Sequence, residues 1–189
     1  MRLFVAIWPP AEVVRELAVA VAEAQRDVPE ARWVPEAHWH LTLTFLGEVD
    51  DARREELDRR LARAATRHAP MRLRFQGAGR FSDRVLFTRV EGERDALRRV
   101  AASTSAAARR SGVVVDDRPY RPHLTLARSR AQGGSGAVLA PAAQALEGFQ
   151  GREWTASELH LVCSRLGAGP GRTSSYESVA RWPLSGRTS

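Results

Sequence analysis

The sequence predicts a fold of mixed helices and strands in two lobes, related by an approximate two-fold axis, with a cleft between them. Three observations predict it. Strand-like and helical stretches alternate along all 189 residues, a strand–helix–strand unit recurs at an offset of 83 residues, and His-Leu-Thr-Leu stands once in each copy. With 43% of the residues hydrophobic, the chain has enough apolar surface for one packed domain or two small lobes sharing a core.

The elements follow from local pattern. Residues 2–7 are an apolar run of strand length. Residues 11–26 place Val13, Val14, Leu17 and Val21 on one helical face, and Pro9 and Pro10 stand at the helix start, where proline is tolerated. Residues 39–47 are strand-like and end in Gly47. Residues 51–66 form a polar helix with Leu57, Leu61 and Ala65 inward. Strands are expected at 71–76 and 84–90, then a helix at 93–110 that stops at Gly112. Residues 123–128 read as a strand, and 131–141, rich in Gly, Ala and Ser, as a mobile loop. Residues 154–165 and 175–182 close the chain as strands.

The duplication spans roughly 2–47 and 84–130. Without gaps, Leu3-Phe4 falls on Leu86-Phe87, Val14 on Leu97, Leu17 on Val100, and His40-Leu41-Thr42-Leu43 on His123-Leu124-Thr125-Leu126. Chance similarity between amphipathic segments explains the apolar matches but not the repeated tetrapeptide. A duplicated unit sets matching residues face to face across a cleft, a common place for a ligand.

The chain carries a net charge of +7, and every basic side chain except His is Arg. Arginine grips phosphate in two-pronged fashion, so a polyanionic partner fits the charge as well as a merely soluble surface does. The single Cys163 allows no internal disulfide. No apolar run is long enough for a bilayer, and Met1 leads straight into a strand-like run rather than a secretory leader. The expected compartment is the cytoplasm.

Side chains alternate along a strand, so His40 and Thr42 share one face while Leu41 and Leu43 anchor the other; His123 and Thr125 repeat the pattern. Two imidazoles with no nucleophilic Ser or Cys beside them suit paired acid–base work near neutral pH. Neutral threonine hydroxyls suit the non-bridging oxygens of a phosphodiester. Arg128 lies five residues past His123, on the opposite face by simple alternation unless the strand bends or ends there. Phe45 follows the first motif on the face of His40 and Thr42, where it stacks on a nucleobase or serves as a core aromatic. His38 and His40 form a His-x-His pair. No carboxylate or cysteine cluster accompanies it and Arg121 replaces His38 in the second copy, so no metal is expected. His68 is read as a surface residue and His160 as structural or cleft-edge.

The stretches Pro35-Glu36-Ala37-His38-Trp39-His40-Leu41-Thr42-Leu43-Thr44-Phe45-Leu46-Gly47 and Tyr120-Arg121-Pro122-His123-Leu124-Thr125-Leu126-Ala127-Arg128 resemble the two His-x-Thr-x motifs of the 2H phosphoesterase superfamily. Within it they resemble the bacterial and archaeal RNA 2′,3′-cyclic phosphodiesterases, historically called 2′-5′ RNA ligases. The resemblance covers nearly the whole chain, including the segments around Phe4, Leu161–Leu166 and Tyr176. It implies a bilobal α+β fold with antiparallel sheets flanking a basic cleft and helices outside. It implies metal-independent, cofactor-free hydrolysis of a terminal 2′,3′-cyclic phosphate to a 2′-phosphate. It also implies roles: His40 as proton donor, His123 as proton acceptor, and Thr42, Thr125 and Arg128 as phosphate holders. The partner is then RNA with a 2′,3′-cyclic phosphate end, tRNA fragments included, and the chain is a monomer because its own halves supply the two-fold site. The stretch 132–136 is expected to rim that site. Two rivals remain: a related enzyme acting on small cyclic nucleotides or ADP-ribose cyclic phosphate, and a non-catalytic RNA-binding module.

Overall fold

The computed structural model describes the chain except for residues 83, 130–137, 166, 168–173 and 188–189. The expected rim at 132–136 therefore lies outside the described residues. In order, the elements are β1 (Arg2–Ile7), α1 (Ala11–Asp27), β2 (Arg32–Trp33), a 3-10 turn (Glu36–His38), β3 (Leu41–Glu48), α2 (Asp51–Ala65), β4 (Met71–Phe81), β5 (Val85–Gly92), α3 (Arg94–Arg110), β6 (His123–Arg128), α4 (Ala140–Ala145), β7 (Trp154–Ala156), β8 (Glu158–Arg165) and β9 (Ser175–Pro183).

The strands form one antiparallel sheet in the order β7-β4-β5-β6-β3-β1-β8-β9, with β2 pairing beside β6. Its two halves, β7-β4-β5-β6 and β3-β1-β8-β9, meet through a single paired position, Leu41 with Leu124. The expected pair of sheets is thus one sheet with a narrow waist, and the waist falls inside the two His-Leu-Thr-Leu motifs.

Alternation separates the two faces of this sheet. In β1, Leu3, Val5 and Ile7 join one large core, while Phe4 and Ala6 join a small cluster on the other side. The large core holds the inward residues of α1 (Val13, Leu17, Val21, Ala24), α2 (Leu57, Leu61) and α3 (Leu97, Val100). It is continuous across both halves, and each fully buried leucine in it contributes about 1.5–3 kcal/mol. Helices therefore cover one face, and the opposite face carries the small aromatic cluster.

Local chemistry explains most boundaries. Asp50 caps α2 by accepting from the Arg53 amide at 2.9 Å. Gly112, at φ 76°, ends α3 as expected, and the Val113 amide returns to the Ala108 carbonyl at 3.0 Å. Two expectations need correction. The strand expected to stop at 76 continues to Phe81, because Gly77, at φ 59°, forms a bulge rather than a turn. The strand expected over 154–165 breaks at Ser157 into β7 and β8, which lie in opposite halves of the sheet. The short helix α4 starts in the last two residues of the expected loop 131–141 and runs on through residues given no element, with Pro141 in its first turn.

Candidate active site

The waist assembles the site. Extending the antiparallel register one residue on either side of Leu41–Leu124 sets His40 across from Thr125 and Thr42 across from His123. All four side chains then share the face opposite the helices. The two histidines are diagonal neighbours, about 7–8 Å apart in such a register, a separation that admits one phosphate between them. His123 is close enough for its charge to depress the titration of His40.

Each imidazole is held in the same way. His40 Nδ1–H donates to the His38 carbonyl at 2.7 Å, and His123 Nδ1–H donates to the Arg121 carbonyl at 2.7 Å. A carbonyl only accepts, so both rings carry the Nδ1 proton and present a bare Nε2. Among the described residues no protein group bonds either Nε2 or the hydroxyls of Thr42 and Thr125. Aromatic rings flank both imidazoles. Phe4 lies 4.8 Å from His40 and Tyr176 meets its ring edge-on at 5.4 Å; Phe81 and Phe87 flank His123 at 4.9 and 5.6 Å.

This enclosure sets the electrostatics. Burial, reinforced by His38 and His123, pushes His40 down to about 4 against the opposing effect of its carbonyl bond. Burial also lowers His123, and the nearby Arg128 guanidinium lowers it further. Both rings are therefore neutral at pH 7 in the free site.

Arg128 reaches this face through a bulge. Leu86 pairs with Ala127 but Phe87 with Thr125, so Leu126 is an extra residue and both Leu126 and Ala127 turn to the core. Parity resets, and Arg128 returns to the side of His123 and Thr125. The first motif does the same: Val5 pairs with Thr44 but Ala6 with Thr42, so Leu43 is extra. Thr44 turns inward to Thr104 and Ser105, at 2.7 and 3.0 Å, and Phe45 emerges on the face of His40, 68% exposed. Phe45 is thus no core residue, and it occupies the position equivalent to Arg128.

The duplication is less regular outside the motifs. Ala6 stands beside Thr42 and Phe87 beside Thr125, so Ala6, not Phe4, matches Phe87. The ungapped offset slips by two residues there, which preserves the faces. Among the remaining histidines, His160 lies on the site face across from Ala6, against Trp8 at 4.9 Å and bonded to Ser178 at 2.9 Å. His68, expected at the surface, is half-buried and bonded to Ser103 at 2.8 Å. His38 spends its carbonyl on His40 and rests against Tyr176 at 4.8 Å. Among the described residues no three His, Cys, Asp or Glu side chains converge as a metal site. Sequence reasoning missed Phe81, because Gly77 looked like a strand end, and it named Phe4 and Tyr176 only through the resemblance.

Fold and site together define a two-histidine phosphoesterase: an antiparallel sheet with helices on one face and two matched imidazoles on the other. The chain belongs to the 2′-5′ RNA ligase superfamily, whose model matches residues 5–167. It is 32% identical to the RNA 2′,3′-cyclic phosphodiesterase of Escherichia coli over 97% of this chain and 96% of that one. It is 36% identical to the Thermus thermophilus protein of the same name, over 88% and 83%. A Geobacillus stearothermophilus relative is longer, and the matched segment spans 57% of it. Among solved structures, TT0787 of Thermus thermophilus superposes with a TM-score of 0.76 at 31% identity, covering all of both chains. Escherichia coli LigT complexed with 3′-AMP gives 0.76 at 27% identity, covering 97% of each.

Proposed function

We propose that this protein hydrolyses the 2′,3′-cyclic phosphodiester end of RNA to a 2′-phosphomonoester by metal-independent acid–base catalysis. One observation carries the reading: two Nε2 atoms, each on a ring fixed by an identical Nδ1–carbonyl bond, share a face with two threonine hydroxyls, and among the described residues none of the four has a protein partner. The set holds no activated serine, cysteine or carboxylate, and paired imidazoles suit general acid–base work, so water is the attacking group. His123 takes a proton from water as it attacks phosphorus, and His40 gives a proton to the departing 3′-oxygen. Thr42, Thr125 and Arg128 hold the non-bridging oxygens, and the geometry keeps the phosphorus between the two rings. The matched environments do not distinguish acid from base; those roles follow the family resemblance. Relatives named RNA 2′,3′-cyclic phosphodiesterase support the substrate assignment.

Both rings start neutral, so the acid must acquire its proton as the anionic substrate binds. A phosphate charge between two buried imidazoles supplies that driving force. Phe45, exposed beside the site, offers a stacking surface for the terminal base. With a 5′-hydroxyl attacking in place of water, the same step breaks the phosphorus–3′-oxygen bond and leaves a 2′-5′ phosphodiester, the ligation reading of this chemistry. We place the protein in the cytoplasm as a monomer, since its own two halves supply the paired site and its single cysteine is buried and free. No helix of the described residues is long and apolar enough to cross a membrane.

The test is incubation of an RNA oligonucleotide bearing a 2′,3′-cyclic end, in EDTA, with identification of the product. The expected product is a 2′-phosphate formed at full rate without metal. A 3′-phosphate, or turnover only on adding a divalent cation, would sink this reading.

A further inference from the structure

The pairing of β2 with β6 opposes two like charges. Arg32 is the direct cross-strand partner of Arg128, and Trp33 of Ala127. Directly paired residues project from the same face, so both guanidinium groups stand on the side that carries His123 and Thr125. Both residues are exposed, and among the described residues neither is ion-paired to a carboxylate. Other arginines near the sheet are held by carboxylates: Arg89, the cross-strand neighbour of His123, is bound to Glu147 at 3.2 Å, and Arg165 to Glu177 at 3.0 Å. Like charges directly opposite one another destabilise a ladder, so this pairing costs stability unless an anion sits between them.

Arg128 stands on the face of His123, near enough for its charge to lower the titration of that ring, and in the proposed function it holds the reacting phosphate. Arg32 lies beside Arg128 at the far end of β6, beyond the point where β3 has left that strand. It stands level with Arg128 but one strand across, so the two guanidinium groups are placed for neighbouring phosphates rather than for one. The Val34 amide donates to the Leu126 carbonyl at 2.8 Å and pins β2 to the bulge that turns Arg128 outward. The two arginines are therefore set by one piece of backbone.

We propose that Arg32 binds a second phosphate of the substrate, the one on the 5′ side of the terminal nucleoside, and so favours a nucleic-acid strand over a nucleoside cyclic phosphate. This rests on the proposed function for its substrate class, but the anion site itself is measurable without turnover. A charge-assisted, two-pronged contact of this kind changes affinity by about tenfold or more.

Two readouts test it. In calorimetry, the wild-type protein binds adenosine 2′,5′-bisphosphate about tenfold or more tightly than adenosine 2′-monophosphate, and Arg32→Ala removes that gain. In kinetics, kcat/KM on an adenosine 2′,3′-cyclic phosphate rises when a 5′-phosphate is added, and Arg32→Ala erases the rise. The gain also shrinks with added salt. The melting temperature of Arg32→Ala stays level or rises, because a like-charge contact is gone. The proposal is overturned if the wild type binds both nucleotides alike, or if Arg32→Ala weakens both equally or leaves their ratio intact. Absence of any hydrolysis alongside an intact bisphosphate preference would instead remove the catalytic reading and leave the anion site standing.

Discussion

At the residue scale, the two histidines are tuned by what surrounds them rather than by each other alone. Burial pushes both below their ordinary value near 6.5, His40 to about 4, so both imidazoles are neutral at pH 7 in the free protein. The proposed mechanism needs one ring protonated, and in the free protein that state is most populated on the acid side of 6.5. The expected kcat/KM profile is therefore a bell centred below pH 6.5, while kcat, which reports the substrate-bound state, peaks at higher pH. Stopped assays across pH 4–9 separate the two; a kcat/KM bell centred well above 7 contradicts the burial argument. His40→Ala and His123→Ala should each lower kcat by about 10²–10⁴-fold while the melting temperature stays near wild type, since both rings face the cleft. This part of the site was readable from the sequence, because a repeated His-Leu-Thr-Leu carries its own face assignment. Arg128 was not readable in the same way, and Phe45, expected on the face of His40, lies there through a bulge that simple alternation does not supply. Each lies five positions from its histidine, and only a bulge, invisible to a count by twos, brings it round.

At the element scale, β4 supports the site from two strands away. Its bulge at Gly77 lets the strand run on to Phe81, whose ring stacks on Phe87 at 4.2 Å and meets His123 edge-on. Gly79 lies beneath Phe87, and a Cβ there would sit 2.6 Å from the ring tip. The ring cannot simply swing away, because Phe81 and His123 bound it. Gly79→Ala is expected to cost about 1–3 kcal/mol of stability through overpacking and to displace His123. The distinguishing signature is a lower kcat, with binding of adenosine 2′-monophosphate close to wild type, in protein that is still folded by circular dichroism. An unchanged kcat would show that the aromatic wall of His123 tolerates movement. A glycine pair at 77 and 79 reads as the end of a strand in sequence. Here one glycine bulges the strand and the other makes room for a ring, so the same residues that obscured the element are those that place it.

At the scale of the whole molecule, the sheet's waist ties function to stability. The helix-covered face was foreseeable from apolar periodicity, and so were most element limits. The topology was not: β7 and β8, contiguous in sequence apart from Ser157, go to opposite halves of the sheet, and no local pattern marks that crossing. The consequence for stability lies in the imidazoles, those of the uncovered face together with His68 beside α3. His38, His40, His68, His123 and His160 all have their titration lowered chiefly by burial, so the folded state prefers them neutral. An unfolded chain protonates each near 6.5. Between that value and the lower folded values the unfolded state binds more protons, and stability must rise with pH through the window. The contribution is complete above about pH 6.5 and is lost as pH falls toward about 4, where His40 finally charges. Melting temperatures should therefore hold steady from pH 8 to 7 and decline from 6.5 to 4.5. Inorganic phosphate at millimolar concentration should flatten that decline, because an anion between the imidazoles raises their pKa and adds binding free energy to the folded state. His40→Ala should flatten it without phosphate and leave less for phosphate to restore. A decline of equal steepness in His40→Ala would mean that the acid sensitivity originates away from the waist.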